Sequence, residues 1–215
     1  MTAHDVTSRI AGTRHDQGYT STHATRFAKS FEILSRHLKS ATKILDVSWP
    51  TVFDDLLVDA GHSVRNVDFD ARNPWPIGTE DSECILLMEV VEHLKDSQPD
   101  TFDTFTFTGL RSTLSNAYNA LDHGGIILIT SPNCASAGAI KRCLLGLSPF
   151  IYTPHVREYT AKELEWWVGE AGFKIIERTT ETCYDEPDQR IMDMIARSDY
   201  STELRNDTTF IIATK

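Results

Sequence analysis

The run Leu86-Leu-Met-Glu-Val-Val-Glu-His-Leu94 restricts the folds open to this chain more than any other stretch. With Cys84 and Ile85 ahead of it, its first half is apolar without polar alternation, as in a strand covered on both faces of a parallel sheet. At Glu89 the pattern changes. Val90, Val91 and Leu94 take helical spacing, and Glu89, Glu92 and His93 stand at i, i+3 and i+4, which predicts a shared polar side on the first turn of a helix. A strand ending in such a cluster puts it at the carboxyl edge of a sheet, where open α/β folds bind their ligands.

The 215 residues suffice for one packed domain and contain no Pro/Gly/Ser-rich linker, so residues 21–215 read as a single domain behind a loose polar arm, 1–20. Lys and Arg number 21 against 31 Asp and Glu, a net charge of -10, which argues against nucleic acid and anionic membranes as partners. No apolar run approaches the roughly 18 residues of a membrane span. No signal-peptide pattern opens the chain, which points to a cytoplasmic protein. The four cysteines form no Cys-x-x-Cys pair, predicting free thiols, mostly buried, rather than zinc ligands or disulfides.

Phe27, Phe31, Leu34 and Leu38 recur at helical spacing; Tyr19 and Arg26 nearby are within reach of a ligand but read better as surface residues. Lys43 to Val47 reads as a first strand. A turn at Ser48-Trp49-Pro50 follows, then a helix through Phe53, Leu56 and Leu57 that stops at Gly61, and a second strand from Ser63 to Asp68. A strand, turn, helix and strand ending in an acid is the nucleotide-binding half-fold, in which the acid accepts hydrogen bonds from ribose hydroxyls. The usual glycine-rich turn is absent, its place held by Ser48 to Val52, with a bulky Trp49 and a Pro50 that has no N–H.

Residues 70–83 are too few for the helix and strand that commonly follow in such a fold. Beyond a loop around Pro99, a helix is expected through Leu110, Leu114, Tyr118 and Leu121, closed by Gly124-Gly125, and then a buried strand from Ile126 to Thr130. A helix over 139–147 with Ile140, Cys143, Leu144 and Leu147 inward would form a flap. His155 precedes Arg157 and Glu158, which read as a surface ion pair. Thr160 and Glu163 have capping-box spacing for a helix through Leu164 and Trp167. Strands from Phe173 and from Thr208 finish the chain, with a helix around Ile191 between them.

Taken in order, Ile44-Leu-Asp-Val47, Val67-Asp68, Met88-Glu-Val-Val-Glu-His-Leu94, Leu121-Asp-His-Gly-Gly125, Ser131-Pro-Asn133 and Tyr159-Thr-Ala-Lys-Glu-Leu164 with Ala171-Gly-Phe173 resemble the class I S-adenosylmethionine-dependent methyltransferases, of the type 11/23 kind. The resemblance implies a Rossmann-like α/β fold: a seven-stranded, mostly parallel sheet with helices on both faces and an antiparallel last strand. It also implies S-adenosylmethionine at the carboxyl ends of the first strands. Asp46, Ser48 and Trp49 would then lie at the methionine end, Asp68 at the ribose, Phe69 and Asp70 beside the adenine, and Met88 and Glu89 near the sulfonium. Glu89, Glu92, His93 and the distant His155 resemble the divalent-metal set of small-RNA 2′-O-methyltransferases and ubiquinone-pathway O-methyltransferases. Mg²⁺ or another divalent ion suits such donors, with His93 and His155 also the candidate catalytic groups. The implied activity is O-methylation of a small-molecule hydroxyl on a sugar, a catechol-like ring or a secondary metabolite. A catalytically inactive binding or partner subunit is the alternative, and a homodimer stays open.

Overall fold

A computed structural model describes Val6, residues 8–10, 15–76, 78–96 and 107–215. Its centre is a sheet in the order β2-β1-β3-β4-β6-β5, formed by β1 (Lys43–Asp46), β2 (Ser63–Asn66), β3 (Ser82–Met88), β4 (Leu121–Pro132), β5 (Lys174–Glu181) and β6 (Thr208–Thr214). The first four are parallel, and β6 runs antiparallel to both β4 and β5.

Along β3 the burial alternates between two layers. Cys84, Leu86 and Met88 join Phe27, Leu34, Phe53 and Phe210 on one face, while Ile85 and Leu87 join Leu110, Leu114, Leu164 and Val168 on the other. The first face is covered by α2 (Ala24–Ser35), which α1 (Gln17–Thr22) precedes, and α3 (Val52–Asp59), the second by α4 (Thr108–Ala120) and α6 (Ala161–Glu170). This double coverage accounts for the unbroken apolar run that the sequence displays there. α7 (Gln189–Arg197) packs through Ile191 and Ile195 against Ala137 and Ile140 of α5 (Ala137–Leu144).

Six strands, rather than the expected seven, stand among the described residues. The strand implied between β2 and β3 is absent. Residues 67–76 and 78–81 make bends and turns, with Pro74 and Pro76 supplying no N–H and Asp81 in a left-handed conformation. A parallel crossover with its own helix and strand needs more chain than that.

Other boundaries move for local reasons. β2 ends at Asn66, two residues before Asp68. Gly124-Gly125 does not close α4, which stops at Ala120. Ser82 pairs with Leu121 but Cys84 with Ile126, so the glycines lie in a bulge inside β4. α5 ends at Leu144, and Cys143, Leu144 and Leu147 are exposed instead of inward. Of the expected arm, Val6 and Ile10 are buried in the first layer, and α1 begins at Gln17. Gly61, with φ of 95°, sits past the end of α3 where a left-handed residue is needed. All four cysteines are free, Cys84 and Cys183 being buried and Cys143 exposed. No helix of the described residues is long and apolar enough to cross a membrane. The loop around Pro99 lies outside the described residues.

The register brings Asp46 beside Leu86 and Met88 beside Thr130, and sets Pro132 opposite Thr208. The ends of β1, β3 and β4 therefore share one edge of the sheet with the start of β6.

The entry into α4 is packed backbone to backbone. A Cβ on Gly109 would lie 2.3 Å from the carbonyl oxygen of Lys95, which no rotamer change relieves. Gly109→Ala is expected to lower stability by about 1–3 kcal/mol in urea unfolding, the usual cost of overpacking.

Candidate functional site

At the end of β3 the chain departs from the expected helical turn. Glu89 is left-handed, with φ of 56°, and Val91–His93 form a 3-10 turn. This conformation is uncommon for a residue with a side chain, and such residues gather at functional sites. It is anchored twice: the Glu89 N–H donates to the Thr130 carbonyl at 2.9 Å, and the Thr130 hydroxyl donates to Glu89 Oε1 at 2.9 Å. Glu89 consequently turns toward β4, and it is Glu92 and His93 that meet His155. One ligand atom from each of these three lies within 4.8 Å of the others.

Glu92 is fully buried. One of its carboxylate oxygens, Oε2, accepts from Ser131 Oγ at 3.1 Å, and the other, Oε1, has no hydrogen-bond partner among the described residues. Burial, and then the nearby Glu89, push its pKa well above the usual carboxylate range, against the pull of the Ser131 bond and Arg26. His93 and His155 stand edge to face, ring centroids 4.8 Å apart, and burial followed by His155 lowers the His93 pKa.

His155 is delivered by the loop after α5. The Glu92 carbonyl accepts the N–H of Val156 at 2.8 Å and of Arg157 at 3.2 Å, tying that loop onto the 3-10 turn. His155 Nδ1 lies 2.6 Å from Glu158 Oε1, which also accepts the Ile151 N–H at 2.7 Å. An ionised carboxylate can only accept, so toward Glu158 the Nδ1–H of His155 is the donor and Nε2 is the ring nitrogen left outside this bond. Glu158 is thus buried beneath His155 and is not the surface partner of Arg157, whose guanidinium reaches Glu163 at 2.5 Å. The spacing His155-x-x-Glu158 was the available signal.

Across the sheet edge, Asp46 is buried. Its Oδ1 accepts from the Ser48 N–H at 2.8 Å and from the Ser48 hydroxyl, and Asn66 Nδ2 reaches both Asp46 Oδ2 at 3.4 Å and Asp54 Oδ1 at 3.3 Å. Burial, and then Asp54, push the Asp46 pKa well up, with the two Ser48 bonds opposing. The glycine-free turn is closed on itself. Thr51 N–H donates to Asp54 Oδ2 at 2.8 Å and the Phe53 N–H to Thr51 Oγ1 at 3.2 Å, a full capping box on α3. Trp49 is 82% exposed.

Asp68 stands exposed beyond β2, and its carboxylate makes no hydrogen bond or ion pair among the described residues. Phe69 leans on Trp75 at 5.5 Å between ring centroids. Asp70 is occupied by Arg72, with contacts of 2.8 and 2.6 Å that hold its pKa down to about 2. Met88 is buried in the first layer of the core. Arg26 is buried rather than superficial. Its Nη2 donates to Tyr19 Oη at 3.3 Å and its Nε has no partner. Burial would lower its pKa, but Glu89, Tyr184 and Tyr19 outweigh that and the net shift is upward.

The sequence model of the methyltransferase-domain family matches residues 25–178. No curated protein matches the chain by sequence. Among solved structures, a SAM-dependent methyltransferase from Archaeoglobus fulgidus has a TM-score of 0.62 at 16% identity, over 93% of this chain and 100% of that one. A Haloferax volcanii complex of the Trm112 methyltransferase activator with a methyltransferase gives 0.58 at 13%, over 98% of this chain and 97% of that one. The small RNA methyltransferase HEN1 gives 0.58 at 11%, over 90% of this chain and 26% of that one. At these identities the likeness is one of fold.

The Asp46 site makes stability depend on pH. Its folded pKa exceeds its unfolded value, so the native state keeps a proton that the unfolded chain releases. This contribution is complete below the ordinary carboxylate range and is lost as pH rises through the folded value. Asp46→Asn is expected to be more stable than the parent at pH 8 by on the order of 1 kcal/mol, with the difference shrinking toward pH 4, in urea unfolding at each pH.

Proposed function

The chain belongs to the class I S-adenosylmethionine-dependent methyltransferase family, and on that premise we propose that it methylates a hydroxyl of a small molecule with a divalent metal held by Glu92, His93 and His155. The observation carrying the reading is Glu92 Oε1, a buried carboxylate oxygen without a partner, in a cluster whose other members are two imidazoles. The donors fit a divalent ion. One carboxylate and two nitrogens suit Mn²⁺, Fe²⁺, Co²⁺ or Zn²⁺ and admit Mg²⁺ with added oxygen ligands. When bound, such an ion lowers the pKa of a hydroxyl it touches, and S-adenosylmethionine supplies the methyl group.

The chain's own part is positioning. Glu158 keeps the His155 proton on Nδ1 and turns Nε2 to the cluster, the arrangement in which an outer carboxylate orients a ligating histidine. His93, its pKa lowered, is neutral at pH 7 and is available as a ligand or as a base toward the acceptor hydroxyl. Glu89 is left to face Thr130 and Arg26. Asp68, with both oxygens free, accepts the ribose hydroxyls, while Phe69 borders the adenine. Asp46 and Ser48 support the turn from beneath. Arg26, which lies near Glu89, is the group we assign to the cofactor's carboxylate, the Ser48, Thr51 and Phe53 N–H groups being already bonded. Alignment of acceptor and methyl group then does most of the catalytic work. The net charge of -10 favours a small molecule over RNA as acceptor.

The same self-satisfied turn favours a second reading, a methyltransferase fold kept as a binding or partner subunit. Calorimetric titration of S-adenosylmethionine separates the two, because the inactive reading expects no heat with or without metal.

Transfer of labelled methyl from S-adenosylmethionine to catechol, assayed in EDTA and then with Mn²⁺ or Mg²⁺, is expected only with metal. His155→Ala is expected to cut it at least about tenfold, and Glu158→Gln to follow in part by loosening metal affinity. Equal transfer in EDTA would contradict the metal assignment. Asp68→Ala is expected to weaken S-adenosylmethionine binding about tenfold while leaving metal binding unchanged, since a lost charged hydrogen-bond acceptor is worth roughly 1.5–3 kcal/mol.

A further inference from the structure

We infer that the groove between α4 and α6 binds a free aromatic amino acid, at a site separate from the Glu92, His93 and His155 cluster. The inference goes beyond the methyl-transfer reading and does not rest on it.

The groove is a cavity of about 790 Å³ bordered on a third side by residues 72–74, and no member of the metal cluster lines it. Its aromatic wall comes from α6. Trp166 is 55% exposed, and its ring meets that of Trp167 edge to face, centroids 4.6 Å apart. Trp167 also packs on Phe107 at 4.7 Å, which fixes the corner that the two indoles make. A large exposed ring in a concave site is a surface that a planar ligand can cover, and an indole offers such a ligand both area and a polarised face.

The polar groups narrow the ligand further. Two of them are committed within the chain: the Arg72 guanidinium to Asp70 and to the Lys95 carbonyl, and Asn116 Nδ2 to the carbonyls of Ala71 and Asn73. Arg111 of α4 and Glu170 of α6 are the charged groups left. Both are exposed, and neither side chain makes a hydrogen bond or ion pair among the described residues. Glu170 stands four residues after Trp166 and three after Trp167, the spacings that share a helix face. The groove therefore presents a cation on its α4 wall, and an anion beside aromatic surface on its α6 wall.

This combination selects by charge. A nucleotide or an aryl phosphate would bring two negative charges to a single arginine and set them against Glu170. A simple amine would leave Arg111 unmatched. A zwitterion with an aromatic ring answers all three features, its carboxylate on Arg111, its ammonium on Glu170 and its ring on the indoles.

Calorimetry on the protein in excess S-adenosylhomocysteine, which carries the same two charges and an aromatic base, titrates L-tryptophan, L-tryptophanamide and 3-indolepropionate. L-Tryptophan is expected to bind with a dissociation constant below about 1 mM, and each analogue, lacking one of the charges, at least about fivefold more weakly. Arg111→Gln is expected to bring L-tryptophan to the level of its amide and to leave the amide unchanged. Glu170→Gln is expected to bring it to the level of 3-indolepropionate and to leave that acid unchanged. Both positions are exposed, so their replacement leaves the core intact, and Trp166→Ala is expected to weaken all three ligands. No saturable heat with L-tryptophan, equal binding of the three ligands, or affinities that survive in both charge variants would overturn the proposal. So would binding that appears only without S-adenosylhomocysteine, which would seat the amino acid where that molecule binds.

Discussion

The Glu92 carboxylate has no exposed surface, and among the described residues only one of its oxygens is bonded, to Ser131. Withdrawing a carboxylate from water costs several kcal/mol unless a counter-charge or a full set of donors replaces the water. Here the donors stop one short, and the missing partner faces two imidazoles. The surroundings are arranged to keep that geometry: the Glu92 carbonyl holds the His155 loop through two N–H groups, Glu158 holds the His155 ring, and Thr130 anchors Glu89 in its left-handed turn. Burial raises the pKa of Glu92, and a divalent ion would offset that burial by supplying the missing counter-charge.

The same edge of the sheet shows how the fold absorbed two departures from its usual plan. Without glycines in the turn after β1, a capping box on α3 and the Asp46, Asp54 and Asn66 contacts hold the backbone that glycine would have left free. Without a strand between β2 and β3, the sheet ends at β2, and Phe69 and Trp75 pack together in the connecting segment while Asp70 pairs with Arg72. Both changes lie on the cofactor side. The stretch from β4 through α5 to His155 keeps its elements and exposes Leu144, Leu145 and Leu147.

Most of the sheet was legible in the sequence because burial on both faces leaves an unmistakable apolar run, as at Cys84 to Met88, and because Gly61 and Thr160 end and begin helices by local chemistry. The site was legible as a set of residue types. It was not legible as geometry. Helical spacing from Glu89 to His93 presumed a helix, and a single left-handed residue removed Glu89 from the set the three others form. Glu158 and Arg26 read as surface charges since charged residues seldom lie buried without a partner; their partners, His155 and Ile151 for Glu158 and Tyr19 for Arg26, are near in sequence, but spacing alone does not show that these groups turn inward. The outward leucines of α5 misled for the opposite reason: helical periodicity says that an apolar face exists, not that this protein covers it.

The central claim is a divalent ion shared by Glu92, His93 and His155. Crystals of the protein with S-adenosylhomocysteine, soaked in Mn²⁺ and measured above the manganese absorption edge, test it most directly. The account expects one anomalous peak bonded to Glu92 Oε1, to an imidazole nitrogen of His93 and to His155 Nε2, with Glu158 still on Nδ1. A map with no peak there, and with Glu92 Oε1 satisfied by water or by a side chain, would contradict it.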